Sequence, residues 1–241
     1  RPFDAECLPR VVAFAARMLG DEEAARDVAQ DAFAAAIASA GSFRGESAPL
    51  TWIMSIAKNL CRKRLRGARE LSFEDFEDVI GACSEAPAPG RSGAELGFYA
   101  EEVKQGCLVG LLGCLPFAQR CAFVLCLLNG LPIPDAARIL GRSENSVRIL
   151  LSRARAAMRE FLCANCSLLA EGSRCRCVNM VEFSLRRDLI RAYKPGMAVE
   201  EIKDELRRFS DEVELFRSLP DPAAAVSMAI EGGKDRVFSK K

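Results

Sequence analysis

Histidine is absent from the 241-residue chain. Imidazole general bases, histidine-bearing nucleophilic triads and imidazole metal ligands are therefore excluded. Aromatic residues are scarce, at 7% with a single Trp and two Tyr. An excess of either charge is also missing. The 34 basic and 33 acidic residues leave a formal net charge of +1, so only the distribution of charge can point to a partner. Long apolar runs are lacking too. The longest uncharged stretches are Gln105–Gln119 and Cys121–Pro134, separated by Arg120. Both are shorter than the roughly 18 residues a membrane-spanning helix requires. A cytoplasmic protein with no membrane partner is expected.

Half of the residues are apolar. Ala, Leu, Arg and Glu dominate, a composition that favours helix over strand. The expected fold class is all-α. Eleven cysteines is an odd number, and most stand singly inside helical patterns. Reduced thiols fit this better than a disulfide-stapled secreted domain.

Charge and apolar spacing divide the chain. Val11, Phe14 and Met18 recur at helical spacing, and Gly20-Asp21 marks a break. Val28, Phe33 and Ile37 continue a second stripe. Ser47 is a candidate N-cap ahead of Pro49, and Ile53, Ile56 and Leu60 line the face of the next helix. Residues 1–69 form a first helical domain that ends in a basic run from Lys58 to Arg69. Residues 70–102 reverse the sign and read as an acidic flexible linker, with Pro, Gly and Ser around residues 86–93. Residues 103–162 form a second helical domain. Within it a short helix to Leu140, a turn at Gly141-Arg142 and a longer helix capped by Ser143 make a helix-turn-helix. Residues 163–241 form a cysteine-rich helical extension. A heptad-like apolar stripe runs through it from Val199 to Phe216.

The helix opening at Ser143 carries groups suited to duplex DNA. Small polar residues near a helix N-terminus reach base edges, and arginines grip phosphates. Ser143, Asn145, Ser146 and Arg148 suit the first task, and Arg153 and Arg155 the second; Arg142, in the turn, belongs to the same DNA-binding set.

The pattern resembles extracytoplasmic-function sigma factors of bacterial RNA polymerase. Leu115-Pro116, Gly130-Leu131, Ala137–Ser143, Ser146-Val147-Arg148 and Leu151–Arg155 are similar to region 4 of that family. Asp27–Phe33, Phe43–Ser47, Thr51-Trp52 and Ile56–Asn59 resemble its region 2. The resemblance implies two small helical domains joined by the linker, and no catalysis by the chain itself. It implies that Asp27, Gln30 and Asp31 face the β′ clamp helices of the polymerase core, with Phe33 in the hydrophobic core. Phe43, Arg44, Ser47, Trp52, Lys58, Asn59 and Arg62 would capture the −10 element as unstacked single-stranded DNA, a task suited to aromatic rings in a cationic groove, while Trp52 taken alone fits a core position at least as well. The helix from Ser143 would read the −35 element. An anti-sigma factor would be a further partner, which the sequence does not name. Two residues depart from the family pattern: Pro134 stands where an acid is usual, and Ala136 where a larger aliphatic is usual.

The extension opens with Cys163-x2-Cys166-x8-Cys175-x-Cys177. Four thiols in a turn-rich stretch are expected to hold one zinc or other thiophilic ion per chain. Arg174 and Arg176 beside them also suit redox switching, and a purely structural zinc stays open as well. Cys107, Cys114, Cys121 and Cys126 sit among Leu, Val and Phe and read as small hydrophobes. Cys7, Cys61 and Cys83 carry no motif. Two rival functions remain at this point. One is a stand-alone helix-turn-helix regulator with a structural zinc site. The other is a thiol- or metal-handling protein on a helical scaffold.

Overall fold

The computed structural model describes residues 7–43, 45, 47–68, 71–82, 93–187 and 189–190. Among these residues every regular element is helical, apart from one isolated bridge between Cys166 and Cys175. None of the described helices is long and apolar enough to cross a membrane. Arg44, Cys83, the centre of the acidic stretch and the Val199–Phe216 stripe lie outside the described residues.

Helices α1 (Cys7–Leu19), α2 (Glu22–Ala38) and α3 (Pro49–Arg64) form the first domain. Val11, Phe14, Ala15 and Met18 occupy one face of α1 and are buried. Asp21 stops one helix and starts the next, its Oδ1 accepting from the Ala24 N–H at 2.9 Å. The buried face of α2 is nearly all small: Ala25, Val28, Ala29, Ala32 and Ala36. Small side chains let α1 and α3 come close without cavities. Ala48, not Ser47, is the N-cap of α3, with no side-chain cap bond, and Pro49 occupies the first turn. Proline lacks the N–H that would need a cap there.

The acidic stretch is not featureless. It contains α4 (Phe73–Ala82) and the start of α5 (Gly93–Gly113). Ser72 and Asp75 cap α4 reciprocally: Asp75 Oδ2 accepts from the Ser72 N–H at 2.8 Å, and Ser72 Oγ from the Asp75 N–H at 3.1 Å. Phe73 and Phe76 give α4 an apolar edge. Their rings lie 5.2 and 6.3 Å from that of Phe161. Gly110 explains how α4 can lie against α5, since a Cβ there would come within 2.5 Å of the Phe76 ring. Charge pattern reveals the acids but not these half-buried rings.

Helix α6 (Phe117–Phe123) continues through a wider π turn at Val124–Leu128, closed by the Asn129 N–H donating to the Val124 carbonyl at 2.9 Å. Then come α7 (Ile133–Leu140), α8 (Glu144–Asn165), a 3-10 turn at Cys177–Met180 and α9 (Val181–Arg186). Pro134 falls in the first turn of α7, where it costs no hydrogen bond. Ala136 is fully buried, so the missing aliphatic bulk is absorbed by packing. Gly141, with φ +64°, ends α7, and the Arg142 N–H donates back to the Ala137 carbonyl at 3.0 Å.

The two helical domains share one core. Phe14, Met18, Ile53 and Cys61 belong to the same buried cluster as Leu111, Phe123, Ile139 and Met158. A second, smaller cluster joins Tyr99, Ala100 and Val103 of α5 to Val181 of α9.

Candidate functional site

Helix α2 turns its polar side outward. Asp27, Gln30 and Asp31 are exposed opposite the alanine face, while Phe33 packs against the core. Asp27 accepts from Arg64 Nη2 of α3 at 3.3 Å. Both partners are exposed, and such a pair contributes little to stability.

The residues expected to take single-stranded DNA fall on the turn before α3 and along α3 itself. The Phe43 and Trp52 rings stack at 4.9 Å and 28°. Ser47 is half-buried and Asn59 is exposed. Lys58 is not an open cation: its Nζ donates to the Ile139 carbonyl of α7 at 2.8 Å. Burial holds its ammonium below the usual 10.5, opposed by Cys121 and helped by the Arg62 charge. Arg62 lies 4.8 Å from the centre of the Phe117 ring of α6. The expected single-strand groove is thus partly covered by the second domain.

Other contacts hold the two domains together. Arg10 Nη2 donates to the Asn129 carbonyl at 2.8 Å, and Asn129 Nδ2 donates to the Arg10 carbonyl at 3.0 Å. Arg120 of α6 donates to the Met18 carbonyl at 2.9 Å. Cys61 of α3 and Cys121 of α6 are both fully buried, and burial pushes each thiol up to about 12. Sequence reasoning missed Arg10, Arg120 and Asn129, because contacts across a domain boundary leave no periodic signal.

The helix-turn-helix presents its expected reading end. Arg142, Ser143, Asn145, Arg148 and Arg153 are exposed on and before α8, and Ser146 is half-buried. Ser143 Oγ accepts from the Ser146 N–H at 3.2 Å. Arg148 donates to Glu144 at 2.9 Å, an exposed pair that holds the guanidinium beside the helix start. Arg155 differs. It is half-buried, and its Nε is enclosed without a hydrogen-bond partner among the described residues.

The cysteine quartet does not assemble as its spacing suggests. Cys163 is exposed and lines a shallow hollow with Arg159, Ser167 and Glu171. Cys166, Cys175 and Cys177 instead line a separate open cleft of about 1170 Å³, together with Cys107 of α5. Cys107 is pushed well above its usual value by burial, then by Cys175, Cys177, Cys166 and Cys114. Burial likewise pushes Cys177 up to about 12, with Cys166 and Cys175 adding to it. Among the described residues, no group of three or more Cys, Asp or Glu side chains is placed so as to hold a metal ion. Cys107 packs against the hydrophobic core, as expected of a small hydrophobe, and it also lines this cleft.

Comparison with known proteins accounts for both domains. Residues 4–70 match Sigma-70 region 2, and residues 105–158 match Sigma-70 region 4. The ECF RNA polymerase sigma factor SigM of Mycobacterium tuberculosis is 35% identical over 140 residues, covering 58% of this chain and 65% of that protein. The chain thus spans just under two thirds of the length of SigM. The RNA polymerase sigma-H factor of Pseudomonas aeruginosa is 30% identical over 161 residues, covering 64% of this chain and 80% of that protein. A sigma factor RpoE, solved with the anti-sigma factor NepR from Bartonella quintana, aligns at a TM-score of 0.45 with 25% identity, over 65% of this chain and 92% of that one. The chain belongs to the extracytoplasmic-function family of RNA polymerase sigma factors.

Proposed function

We propose that the chain directs core RNA polymerase to particular promoters and helps to open them, and that the polymerase supplies the chemistry. The observation that carries this reading is the pairing of a region 2 segment with a region 4 segment on one chain. A stand-alone DNA-binding regulator has no use for the first. Asp27, Gln30 and Asp31 offer an exposed acidic and amide face to the polymerase clamp. The stacked Phe43 and Trp52, with Ser47, Asn59, Lys58 and Arg62, would take the unpaired −10 strand. Arg142, Ser143, Asn145, Ser146, Arg148 and Arg153 would read and grip the −35 duplex. Arg155 would give at most its guanidinium tip to a phosphate.

In this reading the closed arrangement is an inactive one. Lys58 cannot serve DNA while it donates to the Ile139 carbonyl, so the domains must part before the −10 strand is captured. An anti-sigma factor would act by favouring closure. A thiophilic ion on the C-terminal cysteines would act by binding the two states with different affinity.

The test is transcription in vitro with purified core polymerase and a promoter selected from a random library. Asp27→Ala/Gln30→Ala/Asp31→Ala should weaken co-purification with the core while the helical content holds. Promoter-specific transcripts support the reading. Sequence-specific DNA binding without any effect on core polymerase would favour the stand-alone regulator.

A further inference from the structure

We propose that Cys107, Cys166, Cys175 and Cys177 make up one soft-metal site, a four-thiolate centre for a zinc-like divalent ion that staples α5 to the C-terminal extension. The proposal rests on the reading that the C-terminal thiols hold a metal. It changes the ligand set by exchanging Cys163 for Cys107.

The backbone brings three of these thiols to one side. The Cys175 N–H donates to the Asn165 carbonyl and the Ser167 N–H donates to the Cys175 carbonyl, both at 3.1 Å. That bond pair makes Cys166 and Cys175 lateral neighbours in a parallel bridge. Bridged backbones lie about 4.8 Å apart with their side chains on the same face. Sulfurs around a tetrahedral ion with bonds of about 2.3 Å lie about 3.8 Å apart, so the two thiols need little adjustment. Residue 176 between the other two cysteines is extended, at φ −114° and ψ 130°, and its side chain is exposed. Alternation along an extended segment returns Cys177 to the face of Cys175. This is why Cys-x-Cys works here as a pair of ligands.

The fourth thiol comes from α5. That helix packs against the 3-10 turn beginning at Cys177, and the Tyr99, Ala100, Val103 and Val181 cluster fixes the contact. Cys107 lies one turn beyond Val103 and opens into the same cleft as the other three. Cys163 does not line that cleft. The four thiols line one cleft and act on one another electrostatically, yet as placed no group of them is arranged to hold an ion, so binding requires the side chains to move together. The ion would then join the extension to the region 4 segment at its first helix, which also touches the first domain through Val109 and Gly20.

The experiment uses the full chain, purified anaerobically and titrated with cadmium. Metal content and the ultraviolet cadmium–thiolate band are read. Wild type and Cys163→Ser should each bind one ion per chain with the same four-thiolate band. Cys107→Ser should bind on the order of a hundredfold more weakly and lose about a quarter of the band. Cys107→Ala is included in case serine disturbs the fold, and Cys114→Ser, in the turn that follows the same helix, serves as the control. Circular dichroism reports folding in each. Loss of binding in Cys163→Ser with full binding in Cys107→Ala would overturn the proposal in favour of the sequential quartet. Absence of a stoichiometric ion in wild type would overturn the metal reading altogether. Neither outcome depends on polymerase, so promoter activity is judged separately.

Discussion

Replacing Arg10 by Ala should loosen the closed arrangement by a calculable amount. The guanidinium makes one charge-assisted bond across the domain boundary, 2.8 Å to the Asn129 carbonyl, in a half-buried setting. Hydrogen bonds to charged groups contribute about 1.5–3 kcal/mol, and partial exposure favours the lower end of that range. A loss of about 1.4 kcal/mol is tenfold in an equilibrium constant, so the open fraction should rise about tenfold. Cys61 reports that fraction. It is fully buried, burial holds its thiol unreactive near neutral pH against the opposing charges of Arg64 and of Arg120 on the facing helix, and it acts in turn on Cys121 of that helix. Alkylation followed by peptide mass spectrometry should find Cys61 labelled about tenfold faster in Arg10→Ala. The exposed Cys163 should react at its wild-type rate. Asn129→Ala, which removes the reciprocal bond, should act in the same direction, and the two substitutions together should be non-additive. An unchanged Cys61 rate in both variants, with unchanged melting temperature, would refute the idea that these bonds hold the domains closed.

Three further outcomes are expected. Gly141→Ala forces a side chain into the left-handed region at φ +64° and should cost about 1–2 kcal/mol, visible as a lower denaturant midpoint. Arg148→Ala should cost about 1–3 kcal/mol and relax preference at one base pair, whereas Arg153→Ala should weaken binding to all sequences and reduce the salt slope by about 1, both read by titrating duplex DNA. Alkaline pH should unfold the chain: burial raises Cys61 and Cys121 from 9.0 to about 12 and Cys114 to about 11, so the folded state keeps protons that the unfolded state releases. Stability from these groups is complete below pH 9 and is lost as the pH climbs towards 12. The lowered Lys58 acts in the opposite sense below 10.5, and Cys61→Ala should flatten the decline in denaturant melts taken at stepped pH.

Local signals in the sequence map well onto the structure. Gly20-Asp21, Gly141 and Ser143 act through their own backbone or through a partner three residues away, and each marks a boundary that is observed. The helix-turn-helix was legible for the same reason, whereas the Asp27, Gln30 and Asp31 face of α2 came only with the family resemblance. Ser47 was not the cap, because Pro49 removes the need for one and the boundary fell one residue later. The linker concealed α4 since Phe73 and Phe76 are two rings in an acidic context, stabilised by distant Phe161. Lys58 has the residue type for DNA, yet its partner is a carbonyl in another domain. Cys107 lines one cleft with thiols far along the chain, and nothing in its sequence neighbourhood encodes that. Pairings of this kind depend on how folded surfaces fit, a property that spacing within one segment does not carry.

Helix α8 carries a mechanical consequence. Its 22 residues run unbroken from the Ser143 cap to the carbonyl of Asn165 that Cys175 engages. At 1.5 Å per residue it is a rod of about 33 Å. Leu151, Met158 and Leu162 on its buried side make the middle of the rod a fulcrum against the rest of the second domain. A tilt of about ten degrees about that fulcrum would carry each end roughly 3 Å, in opposite directions. That is close to the roughly 3.4 Å base-pair step of a duplex, so an adjustment at the cysteine end shifts the arginine end by about one step along a groove.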